Sequence, residues 1–253
     1  MTLLELQKIS KSFGGLNAVN ELDLSINRGE IVGLIGPNGA GKTTVFNMIS
    51  GVFKPTSGRV LFKNEDITGF DAHSVVSKGL SRTFQVTTLF ANMTVMDNIL
   101  LGFHLNSRIG YGRALLSFSS KKAQYKRLFD RAAELADFMA LGEKRNELAK
   151  NLSHGHGRAL EVAIALATGP ELLLLDEPVT GMSTMESTSM MNKIIEINNR
   201  GISILLVEHH MKVVMGVCRR ICVLDFGKKI GDGSPSEIYS DQRVIKAYLG
   251  ENV

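Results

Sequence analysis

A glycine-rich segment directly after a short apolar run constrains the fold of this chain more than any other feature. The run is IVGLI at 31–35, and the segment GPNGAGKTT follows it at 36–44. The segment fits the pattern G-x-x-x-x-G-K-[ST], in which glycines let backbone N–H groups turn toward phosphate oxygens. A helix from Lys42 to about Ser50 would point its positive N-terminal end at the same phosphates. A strand, a phosphate loop and a helix are therefore predicted in this order.

Two side chains of this segment are suited to different roles in binding a nucleoside triphosphate. Lys42 supplies a point charge to the β- and γ-phosphates, and the Thr43 hydroxyl is suited to hold Mg²⁺. The predicted nucleotide-binding residues of the loop are Gly36, Pro37, Asn38, Gly39, Ala40, Gly41, Lys42, Thr43 and Thr44.

Two adjacent acids follow a second apolar run. Asp176 and Glu177 come directly after the four leucines at 172–175. Neighbouring side chains at a strand exit point to opposite sides, so the two acids are expected to differ in role. We predict that Asp176 binds the metal and that Glu177 is the general base or positions the attacking water.

The chain as a whole reads as an α/β protein with a mostly parallel sheet. Its 253 residues, 44% of them hydrophobic, can bury a large core. Buried strands are predicted at 31–36, 171–178, 203–209 and 220–227, and an antiparallel hairpin strand at 21–26, where residues alternate before Arg28-Gly29. Helical periodicity dominates the middle of the chain, with Leu128, Ala132, Leu135 and Met139 on one helix face and a loop at 107–120.

Charge, cysteines and hydropathy exclude several other classes. A net charge of +4 does not indicate nucleic acid as a partner, and Cys218 and Cys222 read as two buried thiols in a reducing compartment. The start MTLLELQKIS lacks the features of a signal peptide, and no apolar run has the roughly 18–20 residues of a membrane span. A soluble, intracellular protein is expected.

Further motifs make the chain resemble the ATP-binding cassette (ABC) ATPases over nearly its whole length. Thr83-Phe84-Gln85 looks like the Q-loop of that family, and the segment LSHGHGR at 152–158 is similar to its signature LSGGQ-x-R. Asp176-Glu177-Pro178 follows at the expected distance, and Glu208-His209-His210 resembles the switch region. Phe13 stands where the family has an aromatic residue that stacks on adenine.

This resemblance implies a P-loop NTPase fold with a RecA-like core, an antiparallel β subdomain and an inserted helical subdomain. One ABC ATPase domain would span 1–253, with the core and β subdomain at 1–90 and 152–253 and the helical subdomain at 91–151. Gln85 would reach the metal and the nucleophilic water, and His209 would bond the γ-phosphate. Ser153 and Gly155 precede a helix predicted from Arg158 to Thr168. They would face the nucleotide of another subunit, so that two cassettes enclose ATP between them.

Three positions depart from the family pattern. His154 and His156 replace the first glycine and the glutamine of the signature, and Ser183 stands where an acid or amide is usual. These departures put the coupling between two sites in question. Zinc at the histidine pairs is disfavoured because no further ligands have metal spacing. A GTPase is also disfavoured, because Asn192-Lys193 lacks the following aspartate of the guanine motif.

Several short sequence segments are similar to those of the larger ATPase of bacterial branched-chain amino acid importers. It includes FGGL at 13–16, RTFQ at 82–85, MTV at 93–95 and YLGE at 248–251. That resemblance implies ATP and Mg²⁺ as cofactors. It also implies membrane permeases, a second ABC ATPase, an indirect link to a substrate-binding protein, and a place on the cytoplasmic side of the inner membrane. The alternatives are a lipopolysaccharide-export ATPase and a non-transport ABC protein; the transported substrate stays open.

Overall fold

A hairpin opens the chain and forms the first of two sheets. The structure, a computed structural model, describes residues 1–83, 89–105 and 118–249. Strand β1 (Thr2–Phe13) pairs antiparallel with β2 (Leu16–Asn27), and β4 (Ser57–Phe62) and β5 (Glu65–Asp66) complete the order β2-β1-β4-β5. The predicted antiparallel strand is confirmed. Its hairpin closes at Gly14-Gly15, whereas Arg28-Gly29 leads into the other sheet.

The second sheet carries the phosphate loop and the Asp176-Glu177 pair. Its strand order is β10-β9-β3-β8-β7-β6, and all neighbours run parallel except β9 and β10. The strands are β3 (Ile31–Ile35), β6 (Leu80–Arg82), β7 (Leu172–Asp176), β8 (Ser203–Val207), β9 (Arg220–Asp225) and β10 (Lys228–Gly233). The four predicted buried strands are therefore confirmed. Parallel strands place their carboxyl ends at one edge, where the phosphate loop and the Asp176-Glu177 pair both begin.

Helices cover both faces of this sheet. They are α1 (Lys42–Ile49), α2 (Ala72–Ser77), α3 (Val95–Leu105), α4 (Phe118–Phe138), α5 (His154–Ala167), α6 (Thr184–Asn199), α7 (Met211–Val217), α8 (Pro235–Ser240) and α9 (Gln242–Leu249). Among the described residues, no helix combines the length and the apolar character that a membrane span requires.

Alternate residues of the central strands enter two different cores. Leu173 and Leu175 pack in a core with α3 to α6, whereas Leu172 and Leu174 pack in a core with α1 and the first sheet. Burial on both faces explains why the run of four leucines shows no polar alternation.

The middle of the chain is helical, as its periodicity predicts. Ala132 and Met139 are buried, with Leu128 and Leu135 packed against the same core. The predicted loop at 107–120 is too long at its end, because α4 already begins at Phe118; residues 106–117 lie outside the described part. The subdomain boundaries at 90/91 and 151/152 stay a prediction.

Both cysteines are buried and free, as predicted. Burial raises the pKa of the Cys218 and Cys222 thiols to about 12, so neither is a reactive thiolate near neutral pH.

Candidate functional site

The phosphate loop connects β3 to α1 in a backbone conformation that requires glycine at two positions. Gly36 and Gly41 have φ values of 150° and 101°. A Cβ atom at Gly36 would overlap the carbonyl oxygen of Leu224, and one at Gly41 would overlap that of Ala18. The turn is therefore fixed by neighbouring strands that leave no space for a side chain.

Lys42 is the first residue of α1, and its side chain folds back over the loop. The residue is 6% exposed, and Nζ donates to the carbonyl oxygens of Gly36 at 2.7 Å and Pro37 at 2.9 Å. Burial lowers the pKa of Lys42, although the charges of Glu177 and Asp176 oppose this shift. The ammonium group thus lies at the loop with both acids near enough to affect it.

A cavity of about 270 Å³ opens beside the loop and is called the nucleotide cavity below. It brings together residues from four separate segments of the chain. Its lining consists of Ala18, Asn38, Gly39, Ala40, Gly41, Lys42, Thr43, Thr44, Glu177 and His209. Most of the predicted loop residues, the proposed base and the switch histidine therefore share one cavity.

The two adjacent acids have different surroundings, as predicted. Asp176 ends β7, is 1% exposed, and accepts a hydrogen bond at Oδ2 from Arg82 Nη2 at 2.8 Å. Burial raises the pKa of Asp176, and Arg82 partly offsets this effect. Glu177 has a left-handed φ of 50°, and its Oε1 lies 2.6 Å from His209 Nε2. One carboxylate is thus buried in the core, and the other faces the nucleotide cavity.

Glu208 is a buried acid whose role could not be predicted from the residue types around it. It follows β8 and has a side chain with no exposed surface. Oε1 accepts from the backbone N–H of Val179 at 3.1 Å, and Oε2 accepts from that of His209 at 3.0 Å. Glu208 therefore joins the segment after Glu177 to the segment that carries His209. An acid directly after a buried strand is the signal that also identified Asp176.

The signature segment, residues 152–158, forms the start of α5. The helix begins at His154, so the prediction of a start at Arg158 is wrong. The Ser153 Oγ accepts from the His156 backbone N–H at 3.3 Å and lies 2.8 Å from His156 Nδ1. This N-cap stabilises a first turn that contains two glycines, which propensity alone disfavours.

The other two departures from the family pattern, His154 and Ser183, also have local partners. His154 Nε2 lies 2.8 Å from the Thr180 carbonyl oxygen and donates to it. Ser183 caps α6 in a capping box with Glu186. A Cβ atom at Gly155 would lie 2.6 Å from Glu186 Oε1, so this glycine allows close approach of α5 and α6. The signature segment is therefore attached to the turn after Glu177.

Several predicted site residues are absent from the lining of the nucleotide cavity, and one lies outside the described residues. Phe13 is 44% exposed and packs edge-on against Phe53, with ring centres 5.5 Å apart. Ser153 and Gly155 lie at the start of α5 and are absent from the cavity lining. Gln85 lies outside the described residues. The adenine, signature and Q-loop roles of these residues stay predictions.

Magnesium ligands of the predicted kind are present near the nucleotide cavity. Thr43 lines it, and Asp176 Oδ1 is buried with no hydrogen-bond partner among the residues that the structure describes. Hydroxyl and carboxylate oxygens are the donors that Mg²⁺ prefers. The residues thus fit a magnesium ion bound together with a nucleotide.

Comparison with known families and proteins agrees with this geometry. Residues 19–180 match the family model for ABC transporters, and residues 228–253 match that for branched-chain amino acid ATP-binding cassette transporters. The high-affinity branched-chain amino acid transport ATP-binding protein LivG of Escherichia coli K12 is 41% identical over 250 residues, covering 98% of each chain.

Two further similarities extend along the whole chain. The lipopolysaccharide export system ATP-binding protein LptB of Haemophilus influenzae is 32% identical, covering 99% of this chain and 98% of LptB. A crystal structure of an ABC transporter's ATP-binding cassette in its ADP conformation is 29% identical with a TM-score of 0.85, covering 99% of this chain and 100% of that one. With its phosphate loop, acid pair and switch histidine around one site, the chain belongs to the ATP-binding cassettes of the ABC transporter family.

Proposed function

We propose that this chain is the ATP-hydrolysing subunit of an ABC importer for branched-chain or related amino acids. The convergence of Lys42, Glu177 and His209 on the nucleotide cavity carries the hydrolytic part of this proposal. Support for the import of amino acids comes from 41% identity to LivG, against 32% to LptB, and from the family match at 228–253.

The hydrolytic roles follow from the positions of the side chains. Lys42 and the N–H groups of the loop bind the β- and γ-phosphates. Glu177 accepts a proton from a water molecule while the oxygen of that water attacks the γ-phosphorus. The bond between the γ-phosphorus and the bridging oxygen then breaks, and ADP and phosphate leave. His209 Nε2 orients the Glu177 carboxylate through their 2.6 Å contact.

Magnesium would be held by Thr43 and Asp176, with Gln85 as a further predicted ligand. When bound, Mg²⁺ neutralises charge shared by the phosphates. Phe13 stays the proposed contact for adenine.

We also propose that ATP lies between two cassettes, with Ser153 and Gly155 of one chain facing the nucleotide of the other. The second cassette is either another copy of this chain or a related subunit. The signature segment does not line the nucleotide cavity of its own chain. This separation supports a role at the nucleotide of another chain. Hydrolysis then shifts the pair from closed to open.

The membrane permeases are the proposed direct partners, and a substrate-binding protein would act through them. A mostly apolar cavity of about 390 Å³, called the docking cavity below, lies between β6, α2, α3 and α5, and Thr83 is among its lining residues. Leu89, Phe90, Leu101 and Ile164 are among its apolar lining residues. We assign a short apolar segment of a permease to it, and we propose that this contact holds the chain at the cytoplasmic side of the inner membrane.

Hydrolysis is tested with Glu177→Gln in the assembled transporter. We expect ATP hydrolysis to fall at least 100-fold while MgATP still binds, because the amide cannot accept the proton. The Glu196→Gln variant is a control, since Glu196 lies exposed on α6 and pairs with Lys193. Near-normal phosphate release by Glu177→Gln would refute the assignment of the base.

Docking is tested by co-purification of the membrane subunits with Phe90→Glu. Phe90 is 56% exposed beside the docking cavity, so a carboxylate there should disrupt an apolar contact. Phe129→Glu is the control, because Phe129 is exposed on α4 and is not part of this cavity. Equal recovery of permease with both variants would contradict the proposed docking site.

A further inference from the structure

We propose that Arg82 is a positioning residue that sets the orientation of Asp176 for magnesium. This inference rests on the proposed function, since it concerns the metal that accompanies ATP. It assigns a role to a buried cation that neither touches the nucleotide cavity nor belongs to the phosphate loop.

Arg82 joins three motif-bearing elements through one guanidinium group. Arg82 is the last residue of β6, and its side chain is 5% exposed. Nη2 donates to Asp176 Oδ2 at 2.8 Å, and Nη1 donates to Asn47 Oδ1 at 2.6 Å and Ser50 Oγ at 3.2 Å. Asn47 and Ser50 lie in and directly after α1, the helix of the phosphate loop. The strand of Asp176 is thus connected to that helix by one side chain.

The planar group is held by packing as well as by hydrogen bonds. The Cζ atom of Arg82 lies 5.4 Å from the centre of the Phe46 ring, which is also on α1. A guanidinium can stack on a ring and donate in several fixed directions at once, whereas a lysine ammonium is a flexible point charge. Arginine is therefore the residue type that this arrangement requires.

Asp176 uses only one of its two oxygens in this contact. Oδ2 is bound by Arg82, while buried Oδ1 has no partner in the described parts of the chain. The bond to Oδ2 fixes one side of the carboxylate and leaves Oδ1 available to a metal or a metal-bound water. Partners that orient metal ligands typically change metal affinity about 10–100-fold when they are removed.

Two other roles for the pair lead to different results. A purely structural ion pair would stabilise the fold without changing the effect of Mg²⁺ on nucleotide binding. An arginine that competes with Mg²⁺ for Asp176 would weaken metal binding, so its removal would strengthen it. Magnesium-dependent affinity therefore separates the three roles.

The experiment measures ATP affinity by calorimetry, with Mg²⁺ and with EDTA, in the non-hydrolysing Glu177→Gln chain. We expect Arg82→Gln to reduce the gain in affinity from Mg²⁺ about tenfold and to leave metal-free binding within about twofold. Arg82→Lys should lose part of the gain, and it is the variant to use if Arg82→Gln does not fold. An unchanged or larger gain in a folded Arg82 variant would overturn the proposal.

A double-mutant cycle tests whether Arg82 acts through Asp176. In an Asp176→Asn background, Arg82→Gln should have no further effect on the magnesium gain. A persisting tenfold loss there would overturn the proposal. Arg220→Gln is the matched control: Arg220 pairs with Glu30 at 2.7 Å and Asp232 at 2.9 Å, away from the site. It should lower the melting temperature without changing the magnesium gain.

The same measurements keep this proposal separate from the proposed function. If the Glu177→Gln parent binds no MgATP, the proposed function fails whatever Arg82 does. If the parent shows a magnesium gain that folded Arg82 variants retain, only the role of Arg82 fails.

Discussion

The phosphate loop and the signature segment both place glycines and hydroxyl side chains at the start of a helix, yet they are held in different ways. The loop borders the nucleotide cavity with Glu177 and His209. In the signature segment, Ser153 contacts His156 and His154 donates to the Thr180 carbonyl oxygen. One helix start is thus arranged around a cavity, and the other is fixed to its own chain.

A ligand would have to replace different contacts in these two segments. Lys42 donates to two loop carbonyls, and the phosphates of ATP offer it stronger, charged acceptors. Ser153 already serves as an N-cap, so a phosphate would have to share its hydroxyl with the helix. We infer that the loop binds nucleotide by itself, whereas the signature segment contributes only when a second cassette closes on it.

Lys42→Ala tests the loop side of the comparison and should have the largest effect. Loss of a charged donor to two phosphates costs about 3 kcal/mol, or about a 100-fold weaker ATP affinity. Calorimetric titration with MgATP measures this change. Lys63→Ala is the control, because Lys63 pairs with Glu171 and does not line the nucleotide cavity. Binding by Lys42→Ala within threefold of the unchanged chain would contradict the role of Lys42 in binding the phosphates.

Ser153→Ala tests the signature side. We expect unchanged nucleotide affinity in the single chain but a roughly tenfold lower ATPase rate in the assembled transporter, because one hydrogen bond to a charged phosphate is lost. The lost N-cap also costs about 1 kcal/mol of stability.

Ser234→Ala separates these two effects. Ser234 caps α8 through the backbone N–H of Glu237, so its loss should have a similar stability cost without a change in ATPase rate. Equal ATPase rates for Ser153→Ala and Ser234→Ala would show that Ser153 is only a helix cap.

Gly155→Ala and Gly157→Ala compare two glycines of the same helix turn. A Cβ atom at Gly157 would meet only Leu89 Cδ1 at 3.8 Å, so alanine should stabilise α5 by up to about 1 kcal/mol. At Gly155 the new methyl group would displace Glu186 from its capping box, which offsets this gain. Thermal unfolding should therefore rank Gly157→Ala above Gly155→Ala. In a Glu186→Ala background the difference should disappear, and its persistence would exclude this contact as the cause.

Local patterns predicted the parts of the site that depend on neighbours in sequence. The phosphate loop, the four buried strands and the contrast between Asp176 and Glu177 follow from residue types within a few positions of one another. The helix start at His154 was missed because Gly155 and Gly157 disfavour helix, whereas the Ser153 cap compensates for them.

Long-range pairs could not be predicted in this way. Arg82 and Asp176 are 94 residues apart, and Glu208 reaches Val179 across 29 residues. These contacts depend on which strands become neighbours in the sheet. Local residue patterns within one sequence do not show that order. Polar residues next to buried strands were visible, but their partners were not.

Glu161→Gln examines the part of the signature helix that is buried in the protein and should have the smallest effect. Burial raises the pKa of Glu161, and the Arg158 hydrogen bond at 2.9 Å only partly opposes this shift. A raised native pKa favours the protonated form, so the contribution of Glu161 to stability is complete below pH 4.5 and is lost as pH rises through the native pKa. Glutamine stays neutral and keeps an acceptor for Arg158. We therefore expect a higher melting temperature at pH 7, by less than about 4 °C, and a difference that shrinks toward pH 4.5. The control is Glu196→Gln, because Glu196 is exposed and lies three residues after Lys193, as Glu161 lies three residues after Arg158. It should change the melting temperature by less than about 2 °C at either pH. A lower midpoint for Glu161→Gln at pH 7 would mean that the charged pair with Arg158 stabilises this helix, and the signature segment would then depend on charge as the phosphate loop does.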